Sequence, residues 1–182
     1  MRIEFYAAIK TAEPFLPAGT VIAREQTYVH TFYKKEATAQ QPATSKEEGN
    51  LVAFSGPDFK ATFDKQSGLL TSYLYKKHEY ILNGQGPRPF FWRAPTDNDY
   101  GANLPVRLKA WKEASYQEPK AESFQVTPGS NATTIKVTYR FPQTDARWDI
   151  TYKIYASGVI KVDNRFVAEG DQAPMIPRVG LR

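Results

Sequence analysis

The residues of this 182-residue chain best equipped for chemistry are concentrated in Phe90-Phe91-Trp92-Arg93-Ala94-Pro95-Thr96-Asp97-Asn98-Asp99-Tyr100-Gly101. Two carboxylates, Asp97 and Asp99, stand two residues apart beside Arg93 and Asn98, after an aromatic run. A calcium loop would alternate acidic or amide ligands ahead of a glycine and place a bidentate glutamate six residues beyond it. Here the glycine comes early, at Gly101, and Arg107 stands where that glutamate belongs. A retaining glycosidase needs two carboxyl groups about 5–5.5 Å apart on opposite sides of a sugar, usually supplied by separate strands. Asp97 and Asp99 share one short segment and would reach that spacing only by accident of loop geometry. The reading that fits best is structural. Side-chain oxygens of Asp97, Asn98 and Asp99 bond nearby backbone N–H groups, Arg93 neutralises one carboxylate, and Trp92 with the two phenylalanines enters the core. A supporting position beside a neighbouring active site is the other use such a cluster could have.

No other constellation competes with it. His30 and His78 have no Ser and Asp in a recognisable nucleophilic arrangement, and no phosphate-binding or dinucleotide-binding glycine pattern occurs. The chain has no cysteine, which excludes disulfides and thiolate metal sites and leaves the redox compartment open. The net charge of +5 is spread as scattered Lys and Arg among acidic residues, with no basic stripe and no nucleic-acid-binding motif. No run approaches the roughly 18 apolar residues of a membrane span. Aromatic residues make up 14% of the chain. They favour strands and also stack on sugar rings, so the figure supports a β fold and a carbohydrate partner together.

The elements expected to carry the motif are strands. Residues 2–8 and 21–31 read as two of them, parted by Pro14 and Pro17-Ala18-Gly19. Two strands alone are marginal in water and must dock on others. Residues 36–49 are polar and small, a composition that buries too little to order itself, and are expected to be a linker at a domain boundary. From residue 50 the text is dense in β signals. Strands are expected at 51–55, 60–63, 69–75, 124–127, 133–141, 148–155 and 159–167, with a tight turn at Asp64-Lys65-Gln66-Ser67-Gly68 and a hairpin about Ala156-Ser157-Gly158. A helix over 103–114 places Leu104, Leu108 and Trp111 on one face, with Pro105 in its first turn. With no alternation of strands and helices, the fold class is an all-β sandwich. Both ends of the chain stop in strand-like text, so they read as cut.

Phe91-Trp92-Arg93-Ala94-Pro95-Thr96-Asp97-Asn98-Asp99-Tyr100-Gly101, then Ala110-Trp111-Lys112-Glu113-Ala114, together with the earlier Asp64-to-Leu70 turn, strongly resemble the large bacterial β-galactosidases of glycoside hydrolase family 2. The match covers residues 51–182. It implies that 1–35 close an immunoglobulin-like sandwich, that 36–49 link, and that 50–182 open a supersandwich related in fold to galactose mutarotases. The whole enzyme would hydrolyse terminal non-reducing β-D-galactosides with retention through two glutamates. Those glutamates and the magnesium and sodium ligands of the family lie upstream, so the chain is expected to be inactive alone and to hold no cofactor. By the same resemblance Asp97, Asn98, Asp99, Gly101, Asn103 and Arg107 border the active site. Gly101 would be the hinge of a mobile loop over 102–109, while Trp92, Arg93, Pro95 and Trp111 form the structural part of the motif. The implied partners are a β-galactoside, bound through the whole enzyme, and the enzyme's other domains. Open sheet edges also predict self-association into a dimer or higher species. The cytoplasm and the periplasm of a bacterium both remain open. Two rival readings are a freestanding carbohydrate-binding module, which calls for an exposed Trp or Tyr platform, and a mutarotase-type epimerase, which needs a His–Glu pair that neither histidine offers.

Overall fold

The computed structural model describes residues 2–28, 42–170 and 175–182. They fall in two compact units, Met1–Glu36 and Ala37–Arg182. The first is an antiparallel hairpin of β1 (Arg2–Ala8) and β2 (Val21–Tyr28), in register from Arg2 opposite Tyr28 to Ala7 opposite Ala23. Gly19 takes φ +88° in its turn, a conformation open to glycine without a Cβ penalty. Phe5, Tyr6, Ile22 and Tyr28 are exposed. Residues 29–31 of the expected second strand, His30 among them, lie outside the described residues.

The second unit is a two-layer sandwich. Its first sheet is antiparallel, in the order β3 (Thr44–Glu48), β4 (Leu51–Ser55), β5 (Phe59–Asp64), β6 (Leu70–Tyr75) and β7 (His78–Glu79). Alternate residues point inward, as the period of a strand requires, so Val52, Phe54, Ala61 and Phe63 are fully buried. Between β5 and β6 the carboxylate of Asp64 accepts the backbone N–H groups of Gln66 and Ser67, and Gly68 follows at φ +75°. A Cβ on Gly68 would lie 2.5 Å from the Tyr139 hydroxyl, so both the backbone angle and the space reserve this position for glycine.

The second sheet contains β9 (Ser123–Thr127), β10 (Thr133–Phe141), β11 (Ala146–Ile154) and β12 (Ile160–Ala168), paired antiparallel in sequence order. Tyr139 opposes Trp148, Val137 opposes Ile150 and Ile135 opposes Tyr152, and all six are buried. The two layers meet where Phe63 packs edge-on against Tyr152, with ring centroids 5.0 Å apart. The other end of the second sheet, around Trp148 and Phe141, is covered by a helical insert and by the two-residue strand β8 (Pro89–Phe90), which pairs with β13 (Gly180–Leu181).

Two expectations change. Residues 44–48 fall within the expected linker but form β3, paired with β4 from Thr44–Ser55 to Glu48–Leu51. All five side chains of β3 are exposed, so it is held by backbone hydrogen bonds that composition does not register, and its charged residues suit a sheet edge. The helix expected over 103–114 is two short ones, α2 (Leu104–Arg107) and α3 (Lys109–Tyr116), and the motif ahead of it forms a further one, α1 (Asp97–Gly101). The first break is at Asn103, whose φ of 54° is left-handed; the second is at Leu108, whose ψ of 20° leaves the helical range.

Candidate functional site

The aromatic run ahead of the helices anchors the insert in the core. Phe91 is completely buried, with centroids 4.8 Å from Trp111, 5.0 Å from Phe141 and 5.4 Å from Trp148. Its backbone N–H donates to the Ser115 hydroxyl at 2.9 Å, and that hydroxyl donates to the Trp111 carbonyl at 2.8 Å, tying β8 to α3 through a buried serine. Trp92 and Trp111 are both buried, which removes them as an open stacking surface for a sugar. Lys112 lies 5.8 Å from the centroid of the Trp92 ring.

From this anchor the chain passes Arg93 and Pro95 and enters α1. Arg93 grips Asp99 with both arms of its guanidinium, Nη1 to Oδ2 at 2.5 Å and Nη2 to Oδ1 at 2.9 Å. The backbone N–H of Thr96 donates to Asp99 Oδ2 at 2.7 Å and the Thr96 hydroxyl donates to it at 3.0 Å, so the carboxylate also caps the helix start. The Arg93 guanidinium, followed by the Thr96 N–H, holds the Asp99 carboxyl down at a pKa of about 2. A carboxyl so held is ionised and committed at neutral pH. A general acid of a glycosidase needs the opposite, a raised pKa and a free edge.

Arg93, Pro95, Trp92 and Asp99 meet Leu104 and Leu108 around a cavity of about 140 Å³, closed on one side by Met175, Ile176 and Pro177. Those last three residues were not expected at the site. They carry no periodic signal and arrive from 80 residues along the chain, so nothing local could have pointed to them. Asp97, Asn98, Gly101, Asn103 and Arg107 are exposed on the insert and do not line the cavity. Gly101 ends α1, and a Cβ there would meet nothing within 4 Å. Among the described residues no group of three or more His, Asp or Glu side chains converges in a way that could hold a metal. No described helix is long and apolar enough to cross a membrane.

Elsewhere in the sandwich, burial pushes the Tyr152 hydroxyl up to about 12 and raises that of Tyr139 still further. Neither hydroxyl has a hydrogen-bond partner among the described residues.

A two-sheet β-sandwich with a helical insert, in which the Arg93–Asp99 pair holds the start of the insert, defines a module of the all-β class. Comparison with known proteins gives its family. A family model described as "Beta galactosidase small chain" matches residues 55–182, and the chain belongs to that family. A beta-galactosidase of Priestia megaterium is 32% identical over 79% of this chain, and one of Streptococcus thermophilus is 29% identical over 98% of it. A beta-galactosidase small subunit of Latilactobacillus sakei is 29% identical over 72% of the chain. The chain spans 14% and 17% of the first two proteins' lengths and 46% of the third's.

Proposed function

We propose that this chain is a non-catalytic portion of a β-galactosidase of glycoside hydrolase family 2. The whole enzyme cleaves terminal non-reducing β-D-galactosides with retention, by two glutamates outside the 182 residues. The first unit closes an immunoglobulin-like sandwich and the second opens the supersandwich. The helical insert, with Asp97, Asn98, Gly101, Asn103 and Arg107 exposed on it, borders the active site, and Gly101 is the hinge from which 102–109 adjust. Magnesium and sodium, where the enzyme uses them, are held by its other parts, and open sheet edges support association into a dimer or larger species. The observation that carries this reading is the state of Asp99. The one buried acid of the motif is a bidentate, ionised strut, which is what a buttress needs and what an acid catalyst cannot be.

One observation favours a freestanding carbohydrate-binding module. Tyr73 and Tyr75 stack nearly parallel on β6, with centroids 6.4 Å apart, and the exposed Tyr80 joins them at 5.9 Å from Tyr73. Titrating galactose and lactose into the chain, read by tryptophan fluorescence and by amide shifts over 73–80, separates the two readings. The buttress reading expects both signals to stay flat through the millimolar range. A saturable response would move the assignment to the binding module.

A further inference from the structure

Between β7 and β8 the chain turns through Leu82-Asn83-Gly84-Gln85, with the Gln85 N–H donating to the Leu82 carbonyl at 3.0 Å. Asn83 at φ 52°, ψ 30° and Gly84 at φ 72° are both left-handed, the pattern of a type I′ turn, which favours Asn followed by Gly. The turn is lightly packed. Leu82 is 79% exposed, Asn83 is exposed, and a Cβ on Gly84 would find only the Thr71 carbonyl, 3.8 Å away. Among the described residues the Asn83 carboxamide makes no hydrogen bond.

An asparagine carboxamide is open to attack by the backbone nitrogen of the residue that follows it, and a side chain on that residue hinders the approach. The chain has six asparagines, and sequence and structure together separate them. Asn50, Asn103 and Asn131 precede Leu51, Leu104 and Ala132, each with a Cβ in the way. Asn98 is held within α1, and Asn164 in β12 accepts the Trp148 Nε1–H at 3.0 Å. Asn83 alone precedes a glycine, and it does so where little packing holds the backbone.

We propose that Asn83 is a site of spontaneous succinimide formation in the folded chain, and that the isoaspartate left there is a substrate for an isoaspartyl methyltransferase. The Gly84 nitrogen, giving its proton to hydroxide, bonds to Cγ of Asn83, and the Cγ–Nδ2 bond breaks to release ammonia. Water then opens the ring. Cleavage at Cγ leaves aspartate. Cleavage at the backbone carbonyl leaves isoaspartate, whose chain runs on through Cγ and whose free α-carboxylate takes a methyl group from S-adenosylmethionine. The extra backbone carbon cannot be taken up at Gly86, where even a Cβ would stand 1.9 Å from the Leu70 carbonyl oxygen, so the turn bulges outward beside the exposed Leu82. This modification depends on the turn alone and not on the role of the motif in catalysis.

The test ages the full chain, folded and unfolded in urea, and follows it by peptide mass spectrometry. In the folded chain the tryptic peptide spanning 78–93 is expected to gain one dalton, with fragment ions placing the gain at Asn83 and not at Gln85, before any peptide carrying another asparagine. The rate should rise about tenfold from about pH 7 to about pH 8, because the deprotonated amide is the nucleophile. A purified isoaspartyl methyltransferase with labelled S-adenosylmethionine should label the aged chain. Asn83→Gly removes the carboxamide and accepts the left-handed backbone, so it should keep the melting temperature of the parent chain and stay unlabelled. No gain at Asn83 in the folded chain while the unfolded chain converts, an earlier gain at another asparagine, a gain without labelling, or undiminished labelling of the variant would each overturn the proposal.

Discussion

Arg93 and Asp99 form the contact on which the motif turns, and its pH dependence follows from the carboxyl's position. The folded carboxyl titrates at about 2, below its ordinary value of 3.8. As pH falls the unfolded chain therefore takes up this proton first, so the stabilisation is complete above about pH 4 and drains away toward pH 2. Asp99→Asn should lower the melting temperature at neutral pH, and the gap from the parent chain should close as pH falls through that window. A gap that stayed constant from pH 7 to pH 2 would show that the ion pair is not its source. The buried tyrosines have the opposite sign. With Tyr152 raised to about 12 by burial and Tyr139 higher still, the unfolded chain ionises first as pH rises. Stability should hold up to about pH 10 and fall above it. The double variant Tyr139→Phe/Tyr152→Phe should flatten that alkaline loss, which thermal melts from pH 8 to pH 11.5 would read.

The insert depends on Phe91 more than on its own helices, which are too short to be stable by propensity. Phe91→Ala opens a fully buried site among Trp111, Phe141 and Trp148 and should cost about 3–5 kcal/mol in chemical denaturation. A loss below about 1 kcal/mol would mean that the insert does not rest on this ring. Strands with two-residue periodicity were legible in advance: Thr133–Phe141 and Leu51–Ser55 fall where their alternation places them. So was the Asp64–Gly68 turn, because its chemistry is local. β3 was not, since its pairing lies in the backbone and its side chains read as solvent-exposed. The apolar face of Leu104, Leu108 and Trp111 was legible, but its division between two helices was not, because the break falls at Leu108, a good helix former that nothing in the sequence marks for a ψ of 20°. Within the site, that Arg93 neutralises a carboxylate followed from residue types, but that the partner is Asp99 and not Asp97 did not. The pairing of β8 with β13 joins two-residue strands some 90 residues apart, and strands that short have no period to read.

The second unit is a sandwich with its largest aromatic side chains spent on packing. Phe91, Trp111 and Trp148 are buried against one another or against Phe166, and Phe63 and Tyr152 join the two layers. The aromatic richness that first suggested both strands and sugars is therefore largely a property of the core. The chain belongs to the family described as "Beta galactosidase small chain", and under the proposed reading the motif supports catalysis without performing it. The insert is anchored by Phe91, clamped by Arg93 and Asp99, and leaves Asp97, Asn98, Asn103 and Arg107 exposed. Hydrolysis of a chromogenic β-galactoside by the purified 182-residue chain tests that division of labour most directly. The account predicts release of chromophore no faster than the buffer blank. Turnover that rises with chain concentration, survives a second purification and co-elutes with the chain would contradict it.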